Sequence, residues 1–230
     1  MGLADADRGR FGQHTTFGLI GGFRHAVDAV GQMDQRHLFQ PRHRPFRHRV
    51  QSVMQLEHAN RTDGLTGVYN RRYWQQQLQL ELLRAERYQH PVSLLLFDLD
   101  KFKQLNDSYG HQGGDAVLTT VAERISALLR DTDIFGRYGG EEFGVVLPET
   151  ALDGALMVAN RICKTIAAET VSYNQQHIPV TLSIGVASFA GQSSDELIQQ
   201  ADIALYNAKR QGRNCVCAYT DSADYLKKIK

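Results

Sequence analysis

The chain has 230 residues, 42% of them apolar and 22% charged, with a formal net charge of +1. These are the proportions of a soluble globular protein, and the near-zero balance makes no case for nucleic-acid or membrane-surface binding by the chain as a whole. No apolar run reaches the ~18 residues that span a bilayer, no signal peptide opens the chain, and Cys163, Cys215 and Cys217 form neither an even disulfide set nor a metal-type spacing, so a cytoplasmic protein with reduced thiols is expected.

The charge is unevenly spread. Residues 1–50 hold eight Arg, no Lys and four Asp, a net of +4, together with five of the nine His. They show no sustained period, and the basic run Gln40 to Arg49 reads as a solvated extension in preference to a site for an anionic partner. Residues 51–62, with Val53, Met54 and Leu56, suit a linker helix.

From Asp63 to Arg72 the sequence has turn chemistry. A helix follows with Trp74, Leu78, Leu82 and Ala85 on one face, and His90-Pro91 stops it. Val92 to Asp98 is a continuous apolar run, the pattern of a strand buried on both sides. It ends in Asp98-Leu99-Asp100 and runs into Lys101-Phe102-Lys103, a carboxylate at a strand end beside lysines, which reads equally as a magnesium and phosphate geometry or as a strand end with solvated charges. Asn106 to Asp115 reads as a polar, Gly-rich turn opening a helix through Val117, Val121, Ile125 and Leu128.

The stretch Arg137-Tyr138-Gly139-Gly140-Glu141-Glu142-Phe143 lies between two apolar runs. It reads as a hairpin with the Gly-Gly pair as a two-residue type I′ turn, which needs positive φ at both central positions. Its two carboxylates abut a core strand, a costly placement unless a cation binds them. On a regular strand Glu141 and Glu142 would face opposite sides, so one of them is the better metal ligand.

Beyond the hairpin a helix carries Leu152, Ala155, Ala159, Ile162 and Ile166. Ser172 to His177 reads as a loop, and Val180 to Ala187 as a strand. Ser193-Ser194-Asp195-Glu196 has capping-box spacing for a last helix through Leu197, Ala201, Leu205 and Ala208, whose final turn presents Lys209 and Arg210. Gly212-Arg213-Asn214 turns into a final strand, Cys215 to Tyr219, and the tail from 221 to 230 is charged. The alternation of strands, helices and one antiparallel hairpin predicts an α/β fold of α+β type, a mixed sheet covered by helices.

Taken together, these motifs resemble the GGDEF family, the diguanylate cyclases, over residues 63–219. They are Asp63-Gly64-Leu65-Thr66-Gly67 with Asn70-Arg71-Arg72, Phe97 to Lys103, Asn106-Asp107 with Gly110-His111 and Gly114-Asp115, Arg137 to Phe143, Ser183 to Ala187, Ala201 to Lys209, and Gly212-Arg213-Asn214. The resemblance implies a fold like the palm of nucleotidyl cyclases and a catalytic domain over 63–220. It also implies a metal-dependent condensation of two GTP into cyclic di-GMP, with loss of two pyrophosphates, by a homodimer.

By the same resemblance Asp98, the Leu99 carbonyl and Glu141 hold Mg2+ (or Mn2+), with Glu142 assisting and Glu141 activating the attacking hydroxyl. Asn106 and Asp115 read guanine, and His111 contacts substrate nearby. The amides of Lys101 and Phe102, with Lys103, Lys209 and Arg213, take the triphosphate. Arg130 and Asp133 match the family's inhibitory Arg-x-x-Asp site, with Arg161 as a further product-binding arginine. Without the resemblance, Lys209 and Arg213 read equally well as helix-end cations, and Arg130–Asp133 as a local ion pair. Asp100, Asp63 and Arg71 read as structural. A catalytically silent cyclic di-GMP sensor and another nucleotidyl cyclase are the competing readings.

Overall fold

The computed structural model describes residues 61–220. The extension over 1–50, nearly all of the linker helix over 51–62 and the tail over 221–230 lie outside the described residues. Arg61 falls in a turn and Thr62 bridges to Tyr69.

In chain order the elements are β1 (Tyr69–Asn70), α1 (Arg71–Tyr88), β2 (Val92–Leu99), α2 (Phe102–Ser126), β3 (Ile134–Gly139), β4 (Glu142–Pro148) and α3 (Leu152–Ala168). A small hairpin of β5 (Val171–Tyr173) and β6 (Gln176–Ile178) follows, then β7 (Leu182–Ser188), α4 (Ser194–Arg210) and β8 (Val216–Ala218). Six strands form one mixed sheet in the order β1-β3-β4-β2-β7-β8, parallel at its two outer junctions and antiparallel within.

β2 lies between β4 and β7, and every one of its residues is buried. That is why its sequence is continuously apolar rather than alternating. Leu95, Phe97 and Leu99 pack with α2 and α3, whereas Leu94 and Leu96 pack with α1 and α4. Helices therefore cover both faces.

Close approach, more than bulk, sets the helix positions on one face. Gly136 and Gly144 are cross-strand partners, and Trp74 of α1 lies on both; added Cβ atoms would come within 2.7 and 2.4 Å of its side chain. At Gly185 of β7 a Cβ would meet the Ala201 carbonyl oxygen of α4 at 2.1 Å. α1 starts on the Asn70 side chain, which accepts from the Tyr73 N–H at 3.0 Å. α4 starts on the expected Ser193–Glu196 capping box.

Two expected loops are structured instead. Asn106 to Asp115 is helical on both sides of a break at Gly110 (φ 74°, ψ 168°) rather than a turn. The glycines that read as turn formers at 113 and 114 are packing residues. A Cβ at Gly113 would stand 2.8 Å from the Tyr109 Cβ, and one at Gly114 would stand 1.9 Å from the Asn106 Oδ1. Ser172 to His177 forms the β5–β6 hairpin, with Asn174 and Gln175 at φ 47° and 64° supplying its turn. Among the described residues no helix is long and apolar enough to cross a membrane.

Candidate active site

β2 ends at Leu99 where β4 begins at Glu142, and their pairing sets Asp98 directly opposite Glu142. Directly opposite residues share a face. α4 covers that face and brings Lys209 to it, with Nζ 3.0 Å from Asp98 Oδ2. On the other face Phe97 and Phe143 stack with ring centroids 5.6 Å apart, which makes the strand ends rigid.

The β3–β4 turn differs from expectation. Arg137 pairs with Phe143 but Gly139 pairs with Glu142, so Tyr138 is an extra residue in a bulge. The bulge moves the turn on by one residue. Its central pair is Gly140-Glu141, and of these only Gly140 has positive φ, 48°. Glu141 is therefore a turn residue, not a strand residue. Its carbonyl accepts from the Leu99 N–H at 3.3 Å, and its side chain lines a groove with Asn106 and Asp115, while Glu142 stays on the strand beside Asp98. The two carboxylates part company through the turn, not through strand alternation.

Asp98 is the electrostatically strained member. Burial pushes its carboxyl up, Lys209 pulls it back, and Glu141 and Glu142 push it up again, to about 6. Of the three carboxylates only Asp98 has the lysine as a partner. A divalent cation is the partner such a set lacks. Among the described residues no three His, Cys, Asp or Glu side chains form a ready cage. Asp98, Glu141 and the Leu99 carbonyl nonetheless suit magnesium, which takes one or two carboxylates and completes its shell with water and phosphate.

The groove, of about 370 Å3, collects Phe102, Lys103, Asn106, His111, Asp115 and Glu141. Asn106 Oδ1 is buried there without a hydrogen-bond partner. That oxygen packs against Gly114, so a ligand donor in the groove reaches it only once the Asn106 side chain turns outward. Lys101 (φ 57°) precedes α2, and no side chain caps that helix, so its first amides are free for an anion. Lys101 and Arg213 line a second groove rather than the first one. Lys209 is engaged with Asp98.

Arg130 and Asp133 line one groove beyond the end of α2. Asp133 accepts from the backbone N–H of Arg130 at 2.8 Å, and the side-chain ion pair that was the alternative reading is absent among the described residues. Arg161 donates to the Leu128 carbonyl at 2.6 Å.

Arg137 has a role that its place in the motif did not disclose. Its Nε donates to the Gly140 carbonyl at 2.9 Å and its Nη1 to Asp63 Oδ1 at 3.1 Å, tying the turn to the loop that opens the domain. Burial would raise the Asp63 carboxyl, but hydrogen bonds from Thr66 and Arg137 outweigh it and hold Asp63 below the usual range. An arginine next to a glycine turn, whose carbonyls lack side-chain cover, was the available signal. Asp63 is the loop-fixing residue expected, and Arg71 stacks its guanidinium 4.3 Å from the Tyr138 ring centroid.

Residues 60–215 match the family model described as diguanylate cyclase, GGDEF domain. Among curated proteins, the response regulator PleD of Caulobacter vibrioides is 45% identical over 159 residues, 67% of this chain and 35% of PleD. The diguanylate cyclase DgcM of Escherichia coli is 42% identical over 165 residues, 71% of this chain and 40% of DgcM. The matched stretch thus spans well under half the length of these relatives. Among solved structures, the GGDEF domain of DgcB from Caulobacter crescentus in complex with c-di-GMP superposes with a TM-score of 0.67 at 33% identity, covering 70% of this chain and 94% of that one. The active GGEEF domain of a Vibrio cholerae diguanylate cyclase gives 0.62 at 34% identity, covering 66% and 97%.

Proposed function

Since this chain belongs to the diguanylate cyclase GGDEF domain family, we propose that residues 63–220 are a catalytic domain that condenses two GTP into cyclic di-GMP in the cytoplasm, releasing two pyrophosphates. The observation that carries this reading is the crowding at Asp98. Its carboxyl is pushed up to about 6 beside Glu141 and Glu142, and Glu141 in turn lines a groove with Asn106 and Asp115. A cation-seeking edge joined through Glu141 to a groove bearing an amide and a carboxylate fits a metal-bound, guanine-bearing triphosphate.

Asn106 and Asp115 accept from guanine's donor edge, with His111 at the rim. The amides of Lys101 and Phe102, with Lys103 and Arg213, hold the triphosphate. Asp98, Glu141 and the Leu99 carbonyl would hold magnesium or manganese, with Glu142 supporting. Bound there, the metal would lower the 3′-hydroxyl's pKa and offset charge on the leaving pyrophosphate. Glu141, freed from the strand by the bulge, accepts the hydroxyl proton. With a metal held at Asp98, Lys209 would be released to hold phosphate. One groove holds one GTP, so two copies must face each other for the double attack.

Arg130, Asp133 and Arg161 form a product-inhibition site. Asp133 uses its carboxylate on the Arg130 backbone, which leaves the exposed Arg130 guanidinium for product guanine or phosphate. Incubating the chain with GTP and magnesium and separating the products tests the whole reading. Cyclic di-GMP and pyrophosphate should appear, with a rate rising faster than linearly in protein concentration. A preparation that is dimeric yet yields neither product defeats it.

A further inference from the structure

Asp98 and Asp100 flank Leu99, yet the function proposed above employs only the first. Asp100 Oδ2 accepts from Thr181 Oγ1 at 2.7 Å and from the Asn214 N–H at 3.0 Å, and Oδ1 accepts from Ser183 Oγ at 2.6 Å. Its own N–H donates to the Thr181 carbonyl at 2.9 Å. One carboxylate thus joins the end of β2, the start of β7 and the turn after α4.

That turn is strained. Gly212, Arg213 and Asn214 take φ of 112°, 66° and 49° in succession. Glycine accepts this region freely, whereas arginine and asparagine pay for it and persist there only where the surroundings over-determine them. The holding contacts are few. The Arg213 N–H reaches the Ala208 carbonyl at 3.2 Å, Cys163 Sγ approaches Asn214 Oδ1 at 3.5 Å, and the Asn214 N–H meets Asp100. Only the last joins a charged group to the turn. The turn's exposed product is the Arg213 side chain, which lines one groove with Lys101.

We infer that Asp100 is a positioning residue for the triphosphate: it latches the left-handed turn through the Asn214 amide and so presents Arg213 beside the Lys101–Phe102 amides. This rests on the triphosphate reading above. Asp100 itself touches no substrate. Its oxygens are already taken by two hydroxyls and a backbone amide. The arrangement separates two duties of adjacent carboxylates. Asp98 stays under-partnered for a cation, while Asp100 is saturated and fixes an arginine for the anion.

The test compares Asp100→Asn with wild type in binding a non-hydrolysable GTP analogue and GMP, each with magnesium, by calorimetry. The variant should bind the analogue about tenfold or more weakly, the scale of one charge-assisted bond, with GMP affinity unchanged. On an Arg213→Ala background Asp100→Asn should cost nothing further, because the arginine it positions is gone. Equal loss for both nucleotides, or full additivity with Arg213→Ala, overturns the inference and leaves Asp100 a fold residue. Should Asp100→Asn not fold, Thr181→Val, which removes one donor to the same carboxylate, carries the comparison with the same expected selectivity and a smaller, few-fold effect. A wild type that binds no GTP analogue would instead overturn the proposed function itself.

Discussion

The crowded carboxylates at the β2–β4 edge and the saturated carboxylate at the β2–β7 edge are two answers to one problem. Asp98 faces Glu142, neighbours Glu141 and has one lysine at 3.0 Å. Asp100 has two hydroxyls and an amide at 2.6–3.0 Å. Burial taxes both, but only the second has enough donors to offset it. Charge left unpaired marks a place for a ligand, and charge fully paired marks a place that holds the fold. Two residues apart in sequence, the two have opposite chemistry.

The sharpest way to break this contrast is to remove charge from each edge and ask what fails. Glu141→Gln should cut cyclic di-GMP formation on the order of a hundredfold or more, with the melting temperature close to wild type, because a half-buried turn carboxylate with no side-chain partner among the described residues supports chemistry and not packing. Turnover near wild type would show that the crowding has no catalytic purpose. Asp100→Ala should cost stability as well as triphosphate affinity, lowering unfolding free energy in urea by about 2 kcal/mol, since it strands the Thr181, Ser183 and Asn214 donors. An unchanged midpoint would mean that those donors find water at no cost.

Acidity separates the edges further. With its carboxyl raised to about 6, Asp98 contributes stability that is fully present below its ordinary value of 3.8 and lost as pH rises through about 6. In that same window its metal-binding form appears. Magnesium affinity should therefore climb between about pH 4 and 6 and level off above, while metal-free stability drifts the other way from this group. Titrating magnesium by calorimetry across this range reads the midpoint directly. Lys209→Met removes the group that lowers the Asp98 value, so its magnesium midpoint should move to higher pH. The smallest effect belongs to Asp63→Asn at the third carboxylate, which trades an ionic bond to Arg137 for a neutral one. About 1 kcal/mol of stability at neutral pH is expected to go, measured by thermal unfolding.

Much of this was legible in the residues. The apolar run 92–98, the helix faces at Trp74–Leu78–Leu82 and Leu197–Ala201–Leu205, and the Ser193–Glu196 capping box depend on local period and local hydrogen bonds. The carboxylates at 98 and 141 stood out because charge is costly beside a core, whereas the roles expected of Asn106 and Asp115 rested on the family resemblance. Glycine was harder to read. Gly113 and Gly114 looked like turn formers and serve as packing surface, and Gly139 lost its expected turn role to a bulge one residue earlier. A glycine's sequence context does not say whether its missing side chain serves a dihedral angle or a neighbour.

By itself, the sequence determined most of the strands and helices and which residues seek a core, because those properties are local. Tertiary structure alone decided the pairing of Asp98 with Lys209, the bulge that makes Glu141 a turn residue, the tie from Arg137 to Asp63, and the three donors on Asp100. Each brings together groups far apart in the chain or shifts a register by one residue, and neither leaves a periodic trace in sequence. Whether a carboxylate waits for a metal or holds a loop depends on how many donors the fold brings to it.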